Sequence, residues 1–146
     1  MLQVVKMFTV NRHIRDVYRF CRDFENAPRF MHHLSTVTVT SECRSHWVTK
    51  ERDGAIAEWD VEILEEDEGK CLRWQSVAGS EVPNGGSVQL SPRAGETQLH
   101  VQLHYGSPGG NASDTLSKLF GREPTQQILE SLQQLETLLD SRAAAL

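Results

Sequence analysis

The sequence predicts an α+β domain in which a seven-stranded antiparallel sheet curves around a long C-terminal helix, with two short helices after the first strand. Three observations carry that expectation. Residues 36 to 105 alternate apolar and polar side chains, punctuated by turn residues at Asp53-Gly54, Gly69, Pro83-Asn84-Gly85-Gly86 and Ala94-Gly95. A leucine-spaced helix closes the 146-residue chain. Trp47, Trp59 and Trp74 fall in three consecutive alternating segments, so their indoles collect on the one face that a helix must cover.

Residues 2 to 10 read as the first strand, with Gln3, Lys6 and Thr9 spaced among apolar residues. Asn11 offers a side-chain oxygen as N-cap of a helix. Ile14, Val17, Tyr18 and Cys21 then recur at helical spacing, and Asp16 lies near the positive end of that helix. Ala27-Pro28 ends it or starts a new turn, because the residue before a proline is pushed out of the α region. Phe30, Met31 and Leu34 follow as an apolar cluster suited to closing one end of a cavity.

In the meander, Val37, Val39, Trp47, Trp59, Val61, Ile63, Leu72, Trp74, Val88, Leu90, Leu99, Val101, Leu103 and Tyr105 are expected inward. Glu58, Asp60, Glu62, Arg73, Gln75, Gln89, Gln98, His100, Gln102 and His104 alternate outward. A one-residue slip would reverse every face, so register can be read from the pattern. A connection over Arg93 to Glu96 pairs Leu90 with Leu99 and Val88 with Val101. A two-residue Asp53-Gly54 turn would set Trp59 opposite Val48 and expose Trp47. A three-residue loop, Arg52-Asp53-Gly54 with Gly54 left-handed in a bulge, sets Trp47 opposite Trp59 and is the expectation.

Beyond Tyr105, Gly106 to Gly110 reads as a hinge, and Asn111 or Ser113 as a helix cap. Leu116, Leu119 and Phe120 form one apolar stripe, and Ile128, Leu132, Leu135 and Leu139 form another. Pro124 lies between them and would cost about 3 kcal/mol inside a helix, so a kink or fresh start is expected. The organisation expected is one domain over residues 1–146, with an ordered core at 3–140 and a frayed tail at 141–146.

A net charge of −5, without any run of lysine or arginine, excludes the basic footprint of a nucleic-acid binder. No stretch reaches the roughly 20 apolar residues of a membrane span, and MLQVVKMFTV runs into strand-like sequence without a cleavage site, so a cytoplasmic location is expected. Cys21, Cys43 and Cys71 lack any Cys-x-x-Cys spacing and read as buried or half-buried free thiols. His100 and His104 share a strand face but stand about 13 Å apart, too far for one metal ion. Neither metal nor cofactor is expected, and oligomeric state leaves no signal.

The segment YRFCRDFENAPRFM at residues 18–31 resembles the N-terminal signature of the polyketide cyclase/dehydrase family, within the START-like or SRPBCC superfamily and near the coenzyme Q-binding proteins. WDVEI at 59–63, WQS at 74–76, PNGGSV at 83–88 and LFGREP at 119–124 follow in the order that family shows. The resemblance covers about residues 3–140. It implies the helix-grip (START-like) fold, whose sheet curves away from the helix around a void of typically ~300 to 1,000 Å³. It also implies binding or transport of a hydrophobic small molecule: a lipid, an isoprenoid quinone or a polycyclic metabolite. The same resemblance admits a polyketide aromatase/cyclase or dehydratase, and the outer surfaces admit a transient membrane or protein partner.

With such a void, the ligand-binding residues expected are Phe30, Met31, Trp47, Trp59, Val61, Trp74, Gly86, Val88, Val101, Leu103, Tyr105, Leu116 and Phe120. Gly85 and Gly86 leave room for close backbone approach. A cyclase needs a proton donor in the void, for which Tyr105, Ser76 and His33 are the candidates, with Thr49 a further inward hydroxyl. Val77 to Pro83 is longer than a tight hairpin loop and is placed to gate access, together with the Gly106 hinge and the Gly121 to Pro124 break.

Overall fold

The computed structural model describes residues 1–140, so the tail expected at 141–146 lies outside the described residues. Strand β1 (Leu2–Val10) leads into helix α1 (Ile14–Arg22) and a 3₁₀ helix (Phe24–Arg29). Six strands follow: β2 (Leu34–Val39), β3 (Arg44–Thr49), β4 (Glu58–Asp67), β5 (Cys71–Ser76), β6 (Asn84–Arg93) and β7 (Glu96–Tyr105). Helices α2 (Ser113–Phe120) and α3 (Pro124–Leu139) close the chain. The order across the antiparallel sheet is β1-β7-β6-β5-β4-β3-β2, a meander whose last strand takes β1 as its neighbour. The sheet curls around α3, whose Ile128, Leu132, Leu135 and Leu139 are all at most 2% exposed in one continuous apolar core.

α1 is capped by His13 and not by Asn11: the His13 Nδ1 accepts the Arg15 N–H at 3.1 Å. Asn11 is consumed in leaving β1, where the Arg12 N–H donates to the Val10 carbonyl. Its own N–H donates to Asp140 Oδ1 at 2.6 Å, tying that end of the sheet to the end of α3. Asp23 caps the 3₁₀ helix through the Glu25 N–H, and Glu25 in turn accepts the Val39 N–H at 3.0 Å.

Both expected registers are present, with Leu90 opposite Leu99, Val88 opposite Val101 and Trp47 opposite Trp59. The loop that sets the last pair differs from expectation. Asp53 (φ 53°) and Gly54 (φ 78°) are both left-handed, and Arg52 and Ala55 exchange two backbone bonds, which makes a two-residue turn. The compensating extra residue sits just beyond the end of β3: the Thr49 N–H bonds the Ala57 carbonyl, so Lys50 and Glu51 together face Ile56. The Lys50 N–H leaves the hairpin for the His33 carbonyl at 2.9 Å.

Three positions are more open than the alternation suggests. Val39 is 45% exposed at the end of β2, the edge strand of the sheet. Ile63 is only half-buried where the β4–β5 register shifts between Ile63 and Glu65. Cys43 is exposed at the β2–β3 turn, whereas Cys21 and Cys71 are half-buried as expected.

The break before α3 is a fresh start, with Gly121 (φ 70°) and Glu123 (φ 51°) left-handed and Pro124 in the first helical turn, where its missing N–H costs nothing. Asn111 Oδ1 accepts the Ser113 N–H at 2.7 Å ahead of α2. At the other end of α2, Arg52 reaches over from the β3–β4 turn and donates to the carbonyls of Ser117, Lys118 and Leu119 at 2.8, 2.9 and 3.3 Å. Those of Lys118 and Leu119 are carbonyls that a helix terminus leaves without an intrahelical partner, whereas the Ser117 carbonyl also accepts the Gly121 N–H at 3.0 Å. Arg52→Ala is expected to lower stability in urea by about 2 kcal/mol. Arg52→Lys should restore little of it, since an ammonium lacks the fork; full rescue by lysine would show that charge alone matters.

Candidate functional site

Between the sheet and α3 lies an apolar hollow of about 30 Å³. Its walls are Trp47, Trp74, Val88, Val101 and Leu103 from the sheet and Leu132 and Leu135 from α3, roofed by Phe20, Cys21, Asp23, Phe24, Ala27, Phe30 and Met31. A space of ~10–15 Å³ suffices for one water, and ligand pockets are typically ~300 Å³ or more. Phe24 lies against two of the hollow's walls. Its ring meets Trp47 at 5.9 Å and Trp74 at 5.5 Å, edge to face with both. Phe20 and Phe30 pair at 6.1 Å beside it, and the Arg29 guanidinium lies 5.1 Å from the Phe20 ring.

Of the residues expected to bind a ligand, Phe30, Met31, Trp47, Trp74, Val88, Val101 and Leu103 line this hollow. The other six lie elsewhere. Trp59 stands beside Trp47 at 6.0 Å, and Val61 is fully buried in the core. Tyr105 and Phe120 form a separate edge-to-face pair at 5.4 Å, with His33 4.4 Å from Phe120 and Leu116 half-buried against the core. The space over Gly86 belongs to the protein itself: a Cβ there would meet Trp74 Cζ2 at 2.5 Å. Phe20, Phe24 and Ala27 were not read from the sequence as lining residues. Their spacing of four and then three, continued by Met31, is a helical stripe that runs through the break after α1 and would have found them.

Two of the polar candidates are held in structural bonds. Ser76 Oγ accepts the Asn84 N–H at 3.0 Å, and Thr49 Oγ1 accepts the Ala57 N–H at 2.9 Å. Burial raises the Tyr105 hydroxyl well above its ordinary range. Burial also pushes the Cys21 thiol up to about 12, so this wall residue offers no thiolate near neutral pH. The Trp47 Nε1–H donates to Ser45 Oγ at 2.9 Å, whereas the buried Trp59 Nε1–H has no partner among the described residues.

His33 belongs to a neighbouring pocket of about 240 Å³ with Phe30, His32, Gln127, Glu130 and Ser131. Burial, reinforced by Arg52 and Lys50, lowers its pKa to about 4. It is neutral at pH 7 and cannot serve as a general acid there. The unfolded chain takes up this proton near pH 6.5 and the folded chain only near 4, so His33 contributes stability above pH 6.5 that is lost as pH falls toward 4. Wild type should lose about 2 kcal/mol more than His33→Gln across that window. Unfolding midpoints at pH 7 and pH 4.5 check this, and parallel losses in the two proteins would refute it. His46 works in the opposite sense, because Asp60 (2.9 Å) and Glu58 (3.1 Å) raise its pKa. It is common to both proteins and cancels in the comparison.

Seven curled strands gripping a long helix across an apolar hollow make a START-like, helix-grip fold. The chain belongs to the polyketide cyclase/dehydrase and lipid transport family, which it matches over residues 10–133. Among solved structures, it is similar to a protein of Deinococcus radiodurans, at 25% identity and a TM-score of 0.74, covering 95% of this chain and 98% of that one. A START superfamily protein of Mycobacterium smegmatis shares the fold at 15% identity and a TM-score of 0.68, over 94% and 96% of the two chains. The Zhui aromatase/cyclase of a Streptomyces species does so at 15% identity and a TM-score of 0.70, over 99% and 96%. No helix among the described residues is long and apolar enough to cross a membrane.

Proposed function

We propose that the protein binds and carries a hydrophobic small molecule, of the lipid, isoprenoid quinone or polycyclic kind, between the sheet and α3. The observation that carries this reading is the wall chemistry: apart from Asp23 at its edge, every side chain around the hollow is apolar or a neutral thiol, drawn from sheet, roof and helix together. Such a surface rewards burial of hydrocarbon, and its one carboxylate, Asp23, is solvent-exposed and accepts the Glu25 N–H. The family's lipid-transport members support the same reading. Catalytic cyclisation draws less support, since Ser76, Thr49, Tyr105 and His33 all lie outside the lining.

A guest larger than a water must lift Phe24 from the indoles. Two aromatic pairs are worth about 1–3 kcal/mol beyond their area. One five-carbon isoprenoid unit brings about 3–4 kcal/mol on burial, at roughly 0.8 per carbon, so a few such units more than offset the opening. The roof suits that motion. It is a six-residue 3₁₀ helix held partly by exposed polar bonds, among them Glu25 to the Val39 N–H and the Arg29–Asn26 contact.

Native mass spectrometry of freshly purified protein, followed by solvent extraction, should reveal a co-purifying apolar molecule. Titration with lipids and quinones should quench Trp47 and Trp74. Failure of several lipid and quinone classes to bind would overturn the reading.

A further inference from the structure

Arg12, Asp16, Arg19, Phe20, Asp23, Asn26 and Arg29 line a polar groove of about 460 Å³ on the far side of the roof from the hollow. The groove and the hollow share two walls, Phe20 and Asp23. Phe20 is 3% exposed and stands between them as a partition: the Arg29 guanidinium lies against its ring at 5.1 Å, and Phe30 meets it at 6.1 Å. A molecule reaching from one space into the other passes where this ring now sits.

The groove carries three guanidinium groups and two carboxylates, Asp16 and Asp23, in a chain whose net charge is −5. One of the carboxylates is already engaged, Asp23 Oδ1 accepting the Glu25 N–H at 3.2 Å. Arg12 is anchored by Nε to the Leu139 carbonyl at 2.8 Å, and Arg29 by Asn26 at 3.4 Å. Arg19 is exposed and makes no ion pair among the described residues. Guanidinium groups suit carboxylate and phosphate oxygens, which they grip in a planar, bidentate fashion.

We infer that the carried molecule is an amphiphile whose anionic head, a carboxylate or phosphate, lies among Arg12, Arg19 and Arg29 while its tail passes Phe20 into the hollow. This rests on the carrier reading above and supplies the other end of the ligand. A charged head cannot follow the tail, because the hollow has no group to compensate its lost hydration. The tail has no reason to stay in the groove. The shared partition is what makes the two spaces halves of one site.

The test titrates the whole protein, by tryptophan fluorescence below the micelle threshold, with dodecanoate, dodecyl phosphate, dodecanol and inorganic phosphate. The two anionic amphiphiles should bind at least about tenfold tighter than dodecanol of equal chain length, the scale of a charge-assisted contact. Arg19→Gln with Arg29→Gln should bring that ratio toward one, with a thermal melt confirming that the variant folds, both arginines being exposed. Arg73→Gln, on the outer sheet surface beside Glu65, should keep the ratio. Inorganic phosphate should bind more weakly than dodecyl phosphate; equal affinity would mark an independent anion site and overturn the inference. Equal binding of dodecanol and dodecanoate, or a ratio that survives the double variant, would also overturn it while the carrier reading stands. Absence of binding by every tailed probe would remove both.

Discussion

Phe24→Ala is expected to destabilise the protein by about 3–5 kcal/mol and at the same time to make it the better binder. Phe24 is 7% exposed, and its ring is wedged edge-on against both Trp47 and Trp74. Deleting a buried phenyl group forfeits its transfer energy and leaves a cavity that rigid neighbours do not refill. Here that cavity joins the existing hollow of about 30 Å³, between strands whose spacing is set by ladder hydrogen bonds. In wild type a guest must first displace the ring, and in the variant that cost disappears. Urea unfolding and a dodecanol titration of the same preparation check the two halves, with binding expected to tighten about tenfold. Phe24→Leu should lie between. A variant both near-neutral in stability and unchanged in affinity would show that Phe24 is not the plug.

Gly86→Ala is expected to cost about 3 kcal/mol, at the high end for overpacking. A methyl group at this position would come within 2.5 Å of Trp74 Cζ2, 2.8 Å of the Gln102 carbonyl oxygen and 3.0 Å of Leu103 Cδ2. The indole can swing, but only toward the hollow that it already lines. The Gln102 carbonyl cannot move without breaking the β6–β7 ladder, in which Ser87 pairs with Gln102 and Gly86 with Leu103. The variant should therefore lose stability, shift the tryptophan emission and bind a tailed ligand more weakly. Gly86→Leu would strain the sheet further, since the larger side chain starts from the same contacts. Unchanged emission and stability in Gly86→Ala would show that the contact is relieved by some freer movement.

The difference between these two residues also shows how far the sequence can be read. Trp47, Trp74, Val88, Val101 and Leu103 were legible as inward because each lies in an alternating strand buried on one side only. Phe24 was legible only as one member of a helical stripe, which reveals that a residue faces something without revealing what. Its position against two indoles depends on where Asp23 starts the 3₁₀ helix and where Glu25 ties it to β2. The Trp47–Trp59 register was legible for a similar reason, since any slip would have put an indole in water. The turn that accomplishes it was not. An extra residue anywhere along the hairpin gives the same pairing, and Lys50 is chosen by its bond to the His33 carbonyl, a contact outside the hairpin.

By itself the sequence determined the order of strands and helices and the buried face of most of them, because these follow from local periodicity and turn chemistry, while the family showed in the resemblance of its motifs. Only the tertiary structure decided how much of the concavity stays open and what stands at its mouth. Phe24, Phe20 and the arginines of the groove are brought there by the packing of α1 and the 3₁₀ helix over the sheet. Which side chain fills a space depends on distances between elements far apart in the chain, and no local pattern encodes those.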